Sequence, residues 1–381
     1  MTRIRATVVL AAAIFLVHCS SETLPLQPID WQRTPGGGPN GSVLGFGPPG
    51  SFDEAGNFTI GAFKDTDGVY KLYYGGADTA SIDPVNCKGI NGVHWRIGLA
   101  TSPDGLTWTR VKGDQLKGSI LDNGTGANDF DTFLTYRPYV LHDGSIYRMW
   151  YNGSTEPFNC PNNTLALNRR IGYAESPDGV HFTKMNTGPG VEGSILPLGG
   201  PGSIDEQQVG YVWVIKDTND YKMFYSANDK QNFWRVALAT STDGRTWTKK
   251  PGKLTGGAVL DLGPAGAFDV ACAYQPSVFK ERDQLYRMWY RGCQAARPVT
   301  GGPSQGVIGY AESNDGITWV KVPQDGRPFG AALVAGVPGT FDSGGLTTPS
   351  VFLDGNTWNM YYAGFDTSGV FLTGLARAPH Q

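Results

Sequence analysis

From about residue 52 onward, apolar and aromatic positions come in short bursts separated by polar turns. Segments such as "YRMWYNG" and "RIGYAES" hold a few apolar residues in alternation, bounded by Gly, Asp, Asn or Ser. Period-two runs between turn residues are the pattern of antiparallel strands. Beyond the N-terminus, no long stretch carries apolar residues at spacings of 3, 4 and 7. The chain reads as all-β.

The bursts repeat, and a repeat is the first thing to look for in such a chain. Five copies begin at Phe52-Asp53, Phe130-Asp131, Ile204-Asp205, Phe268-Asp269 and Phe341-Asp342. Seven residues past each Asp stand Ile60, Pro138, Val212, Pro276 and Pro349. A first strand follows with its polar turn ("YVLHDG", "SVFKERDQ"), then an aromatic strand ("YKLYYGG", "YRMWYRG"), a variable loop and a third strand ("RIGLATS", "VIGYAES"). In four copies an Asp-Gly turn and a fourth strand with Trp or Phe finish the unit. Four strands repeated five times, 64 to 78 residues apart, predict a five-bladed β-propeller over residues 28–381. Radial stacking buries both faces of each sheet, so all strands are rich in Val, Ile, Tyr and Trp.

The fifth copy stops after its third strand, at "LARAPHQ", and a matching fourth strand stands at the front. "IDWQRTP", residues 29–35, has the shape of "LTWTRV", "RTWTKK" and "ITWVKV" without the preceding turn. It is expected to pair with the last blade, closing the ring and removing an exposed edge.

The first twenty residues form a different kind of segment. Two Arg and an apolar run ending at Cys19 read as an export signal. Leu16-Val17-His18-Cys19 has the form of a lipobox, which makes Cys19 the lipidation candidate and 20–27 a short tether. Plain cleavage and secretion is the alternative. The expected membrane contact is only through that anchor. Four further Cys, at 87, 160, 272 and 293, are an even number, as in exported proteins. Cys272 and Cys293 flank a turn near Arg282 and Asp283 at nearly equal distances, and a disulfide is expected there. Cys87 with Cys160 follows by elimination, with free buried thiols as the other possibility.

Composition changes little in this picture. The 53 Gly, 25 Pro and 12% aromatic residues fit turns and short strands. A net charge of −3 gives no footprint for nucleic acid. The expected state is a monomer.

Candidate chemistry belongs at one mouth of the channel. Inner strands begin there, and the loops that vary in length (76–94, 154–168 and 294–305) open there, whereas Asp104, Asp178, Asp243 and Asp315 form structural turns at the other end. The linker residues Asp53, Asp131, Asp205, Asp269 and Asp342 would ring the mouth, two or three facing ligand and the rest holding the blade links. Glu54 and Glu206 add a second carboxylate in blades one and three. Before the Ile/Pro/Val position stand Thr59, Arg137, Tyr211, Gln275 and Thr348, and Arg137 suits a hydroxyl-rich or anionic ligand. Near the ends of the second strands, Asp78, Glu156, Asp229 and Asp366 read as solvated loop charges. With Tyr136, Tyr211, Trp213 and Tyr274, the mouth suits a carbohydrate, because sugar rings stack on aromatic faces and carboxylates serve as acid and base. The substrate-binding candidates are Glu54, Tyr136, Arg137, Asp205, Tyr211, Asp269, Tyr274, Gln275 and Asp342. Five His without zinc-ligand spacing predict no metal. Calcium among the carboxylates is conceivable, although no EF-hand loop is present. No other cofactor is expected.

The segments "YRPYVLHDGSIYRMWYNG", "RIGYAESPDGVHFTK" and "FDSGGLTTPSVFLDGNTWNMYYAG" resemble the five-bladed glycoside hydrolases of the arabinanase/xylosidase and invertase/levansucrase types, and the related mannoside phosphorylases. The resemblance spans nearly all of 28–378. It implies a glycoside hydrolase with Asp53 as base or nucleophile, Asp131 as the supporting carboxylate and Glu206 as the acid. Those families often place Asp before the inner-strand Pro, where this chain has Thr59 and Arg137. A non-catalytic sugar-binding propeller is therefore the alternative expectation. A mannoside-type phosphorylase is the other, with Arg137 the only inner-strand candidate for holding phosphate.

Overall fold

The computed structural model describes residues 28–78, 94–155, 168–185, 193–217, 220–294, 306–324 and 326–380, with only the backbone at 59 and 60. The start is β1 (Gln32–Arg33). Blade one comprises β2 (Gly56–Lys64), β3 (Tyr70–Ala77), β4 (Trp95–Ser102) and β5 (Thr109–Val111). Blade two comprises β6 (Leu134–Asp143), β7 (Ile146–Ser154), β8 (Arg170–Ser176) and β9 (Thr183–Lys184). Blade three comprises β10 (Gln208–Lys216), β11 (Tyr221–Asn228), β12 (Trp234–Ser241) and β13 (Thr248–Lys250). Blade four comprises β14 (Cys272–Arg282), β15 (Leu285–Cys293), β16 (Gly306–Ser313) and β17 (Trp319–Lys321). Blade five has β18 (Gly345–Asp354), β19 (Thr357–Phe365) and β20 (Phe371–Pro379). Its fourth strand is β1, which pairs Gln32 with Arg377 and Arg33 with Ala376. The first strands contact one another in the cyclic order β2, β6, β10, β14, β18 and back to β2.

Every first strand breaks register near its middle: at Tyr136/Tyr139, Gly210/Trp213, Tyr274/Ser277, Thr347/Ser350 and, by one residue, Thr59/Gly61. That break explains the motif Pro. A proline cannot donate to a ladder, so it is tolerated at a bulge. The residue before Pro138, Val212, Pro276 or Pro349 is left-handed, at Arg137, Tyr211, Gln275 and Thr348, with φ of 55°, 50°, 56° and 49°. Side chains of neighbouring strands hold these bulges. The Tyr211 N–H donates to Asn152 Oδ1 at 2.8 Å, Gln275 N–H to Ser226 Oγ at 2.9 Å and Thr348 N–H to Gln275 Oε1 at 3.0 Å. Strain of this kind persists only where the surroundings over-determine it.

The Asp-Gly turns are built alike. Asp104, Asp178, Asp243 and Asp315 each accept the N–H groups two and three residues on, while Ser102, Ser176, Ser241 and Ser313 donate to the same carboxylates. At the hairpin between first and second strands, an acidic residue of one blade is gripped by the next. Asp65 accepts from Tyr147 Oη at 2.6 Å and pairs with His142, and Asp143 accepts from Tyr221 Oη and pairs with Lys216. Asp217 accepts from Tyr286 Oη at 3.0 Å and Lys280 Nζ at 2.8 Å, and Asp354 from Tyr70 and Lys64. Blade five puts Leu353 and Trp358 at the gripping positions. Across that joint Glu281 meets His380 of blade five at 3.5 Å, and Trp358 packs on Phe279 and Trp289 with centroids 5.0 and 5.3 Å away. This joint is aromatic where the others are ionic.

Candidate functional site

The five linker aspartates are buried within their own blades. None is more than 4% exposed, and each is gripped by the second and fourth strands of its own blade. Asp53 accepts from Tyr74 Oη at 3.0 Å and Arg110 Nε at 2.6 Å, and Asp131 from Tyr151 Oη at 2.9 Å and Lys184 Nζ at 2.6 Å. Asp205 is held by Tyr225 and Lys249, Asp269 by Tyr290 and Lys321, and Asp342 by Tyr362 and Arg33. Packing explains how the motif reaches that depth. It lies flat on the end of the second strand, where a Cβ at Gly76 would come within 2.5 Å of Asp53 Cβ, and Gly153, Gly292 and Gly364 are equally close to their own blade's motif. Blade three has Ala227 at that place, and there the slimmer Ile204 replaces the motif aromatic.

This corrects the roles expected for Asp53 and Asp131, and the ligand contacts expected for Asp205, Asp269 and Asp342. A base or nucleophile needs an oxygen turned to substrate. Both Asp53 oxygens are already taken, Oδ1 by Ser51 Oγ at 2.8 Å. The linker carboxylates are neutralised clamps. Asp78 is also not a solvated charge, since it is buried and bonded to Arg96 and Lys117, both at 2.9 Å. Asp229 pairs with Arg235 at 2.7 Å, and Asp366 caps its own turn through Ser368. Trp213 lies in the core, 4.5 Å from Tyr139 between ring centroids, rather than at the mouth.

Glu206 is placed differently. It is half-buried at the linker turn, its Oε2 accepting the Gly202 N–H at 2.8 Å and its Oε1 the Lys230 N–H at 3.2 Å in the β11–β12 loop. Glu54 has the matching position in blade one and accepts the Gly50 N–H at 2.7 Å. The structure thus leaves Glu206 beside the β11–β12 loop while Asp53 and Asp131 are buried, and among the described residues no hydrogen bond joins the three.

The bulge residues converge with the ends of the outer strands into a polar and aromatic cluster. The Arg137 guanidinium lies between the rings of Phe58 and Tyr211, 4.6 and 4.4 Å from their centroids, with Tyr136 at 5.6 Å. Burial pulls this guanidinium below its ordinary pKa, the Tyr211 and Tyr136 phenols opposing the shift. Tyr211, Trp234 and Tyr274 form a second aromatic group, with centroids 5.1 to 5.6 Å apart. Through it runs a chain of hydrogen bonds. Arg169 donates to Tyr136 Oη at 2.6 Å and to Gln208 Oε1 at 2.8 Å, and Gln208 Nε2 donates to Asn228 Oδ1 at 3.0 Å. Arg291 donates to Tyr274 Oη at 2.9 Å. Tyr136, Arg137, Tyr211, Tyr274 and Gln275 therefore do come together. Arg169, Gln208, Trp234, Asn152 and Arg291 complete the cluster without having been singled out. For Trp234 a signal was present in the third-strand start "FWRVA", which matches "HWRIG" of blade one, and Arg169 stands at the corresponding place in blade two.

Cys272 and Cys293 form a disulfide between directly paired residues of β14 and β15, with Cα atoms 5.1 Å apart. Cys19, Cys87, Cys160, Glu156 and most of the three variable loops lie outside the described residues. Among the described residues, no group of three His, Cys, Asp or Glu stands ready for a metal ion.

Comparison with known proteins places this architecture. No protein-family model matches the chain. An uncharacterized protein of Mycobacterium tuberculosis (strain H37Rv) is 28% identical over 249 residues, covering 65% of this chain and 71% of that protein. Among solved structures, one described as a glycoside hydrolase superposes with a TM-score of 0.63 at 14% identity, covering 92% of each chain. Another belongs to a study of mannoside phosphorylases that contain glycoside hydrolases targeting β-1,2 mannosidic linkages in Candida mannan. It gives a TM-score of 0.62 at 18% identity over 92% of this chain and 94% of that one. The β-1,2-mannobiose phosphorylase of Listeria innocua gives 0.55 at 15% identity over 85% and 91%. At these identities the likeness is one of fold, shared with the propeller glycosidases and phosphorylases.

Proposed function

We propose that the chain is a five-bladed β-propeller, sealed by its N-terminal strand, that receives a glycan at the loop-side mouth and cleaves a glycosidic bond there. The reading extends to export, with Cys19 as lipid anchor or a plain cleaved signal, and the Cys272–Cys293 disulfide fits an oxidising compartment. The observation that carries it is the cluster of Tyr136, Tyr211, Trp234 and Tyr274 interleaved with the Arg169–Gln208–Asn228 chain, on a fold held in common with glycoside hydrolases and phosphorylases. Rings supply faces for a sugar, and buried polar groups fix its orientation. Glu206 is the acid in this reading, because among the described residues its carboxylate meets backbone donors alone and stays partly exposed.

The test is a screen of the purified protein on oligosaccharides and aryl glycosides, with and without inorganic phosphate, beside the Glu206→Gln variant. Product release by the native protein and its loss in the variant are expected. Unchanged turnover in Glu206→Gln would remove Glu206 from the mechanism. Phosphate dependence separates phosphorolysis from hydrolysis.

A second reading, sugar recognition without cleavage, is favoured by one feature. At the level of the bulges the first strands present Arg137, Tyr211, Gln275 and Thr348, with no carboxylate among them. Calorimetric binding of a glycan with no product released would select it.

A further inference from the structure

At the bulge level of the first strands, one guanidinium has no countercharge among the described residues. Arg137 is 4% exposed and makes no hydrogen bond or ion pair among the described residues, and its Nε and Nη1 are buried without a partner. A buried charge is costly unless it is paired, and proteins ordinarily pair it. The rings of Phe58 and Tyr211 offer only their faces, which leaves the in-plane N–H groups unmet.

Two amides add vacancies of the same sign. Asn152 Nδ2 and Gln275 Nε2 are buried donors without an acceptor among the described residues, and the Thr348 hydroxyl, which can donate or accept, is buried without a partner among them. The oxygens of both amides are in use, Asn152 Oδ1 by the Tyr211 N–H and Gln275 Oε1 by the Thr348 N–H. Each amide therefore has its NH2 fixed as the free end. Arg137, Gln275 and Thr348 are all bulge residues in the left-handed conformation, so the same strained position in three blades supplies them. Asn152 lies opposite Tyr136 on β7.

A sugar hydroxyl both donates and accepts, and water satisfies hydrogen bonds without neutralising charge. A partner that only accepts and carries negative charge is an oxyanion. The planar guanidinium suits carboxylate and phosphate oxygens. We infer that the bulge level of the first strands is an oxyanion site, centred on Arg137 with Asn152, Gln275 and Thr348 as accessory donors, which takes the carboxylate or phosphate group of a ligand. This rests on the proposed glycan site and narrows its substrate to a glycan with an anionic group, or to a glycan together with inorganic phosphate.

Thermal unfolding of the purified protein, titrated with inorganic phosphate, glucuronate, galacturonate and, as neutral controls, glucose and mannose, tests it. A ligand that binds only the folded state raises Tm with the logarithm of its concentration. The expected result is a rise with phosphate or with a uronate, and the responding arm tells the source of the anion. Arg137→Met should abolish that rise, and Arg137→Lys, which keeps the charge and is the readout should the Met variant not fold, should weaken affinity by about tenfold to a hundredfold. No rise with any anion, or an equal rise in Arg137→Met, would overturn the site. Neutral-glycan binding or turnover in that case would leave the broader glycan reading standing.

Discussion

Arg33 donates from Nε to Asp342 Oδ2 at 2.8 Å, joining residues 309 positions apart in sequence. The same grip is made within each of the other blades by Arg110, Lys184, Lys249 or Lys321. Only in blade five does the cation arrive from the opposite end of the chain. Asp342 is fully buried, so removing Arg33 leaves an unpaired carboxylate inside the protein. Breaking a buried pair by deleting one partner costs about 3–5 kcal/mol. Arg33→Ala is expected to lower the urea midpoint accordingly, with the earliest loss of hydrogen-exchange protection along β20. Uniform loss across all blades would argue against a local seal.

Asp53→Asn and Asp131→Asn separate clamp from catalyst. If these groups only hold Arg110 and Lys184, both variants lose stability by about 3 kcal/mol or more, while turnover per folded molecule stays near that of the native protein. A loss of kcat of a thousandfold or more in fully folded Asp53→Asn, on the order of what an essential catalytic group supplies, would restore its catalytic assignment.

Acid should unfold the protein over a definable range. Hydrogen bonds from backbone N–H and serine groups, outweighing the effect of burial, draw Asp243 and Asp315 down to about 2, and Asp178 also lies well below the carboxylate range. For Asp65, burial alone would raise the value, but Lys71, Tyr147 and His142 hold it far below. Groups with depressed folded-state values stabilise the protein fully above their unfolded value of about 3.9, and lose that contribution as pH falls through the folded value. Denaturant midpoints are therefore expected to be level from about pH 7 to pH 5, then to fall between about pH 4 and pH 2. A steep fall already at pH 6 would point to histidines instead.

Cys272 and Cys293 close a loop with a sequence separation of 21. Chain-entropy reasoning gives about 3 kcal/mol for a loop of that size. Cys272→Ser with Cys293→Ser should lower stability by up to that amount, read as a denaturant midpoint under non-reducing conditions.

The repeat made most of the architecture legible. Alternation and Asp-Gly turns set the strands, and the orphan "IDWQRTP" has the form of the fourth strand that its pairing with β20 supplies. The linker aspartates were harder, because an acidic residue in every copy reads equally as a ring of ligands or a ring of clamps. The deciding signal lay in the fourth strands. Arg33, Arg110, Lys184, Lys249 and Lys321 each stand two residues after Trp or Phe, one cation for every Asp. Charge matching across copies would have revealed the pairing. The central cluster was legible only in part, since Arg169 joins Tyr136 of its own blade to Gln208 of the next across a blade boundary that no local pattern encodes.

The pairing of β1 with β20 in blade five has a consequence for how the molecule comes into being. Blades one to four can each complete their own aspartate grip as the chain emerges, whereas Asp342 of blade five takes its cation from Arg33, 309 positions earlier. That last grip therefore forms late, when β1 docks on β20, and mistimed capture of a neighbour's "IDWQRTP" strand is the natural route to a swapped dimer.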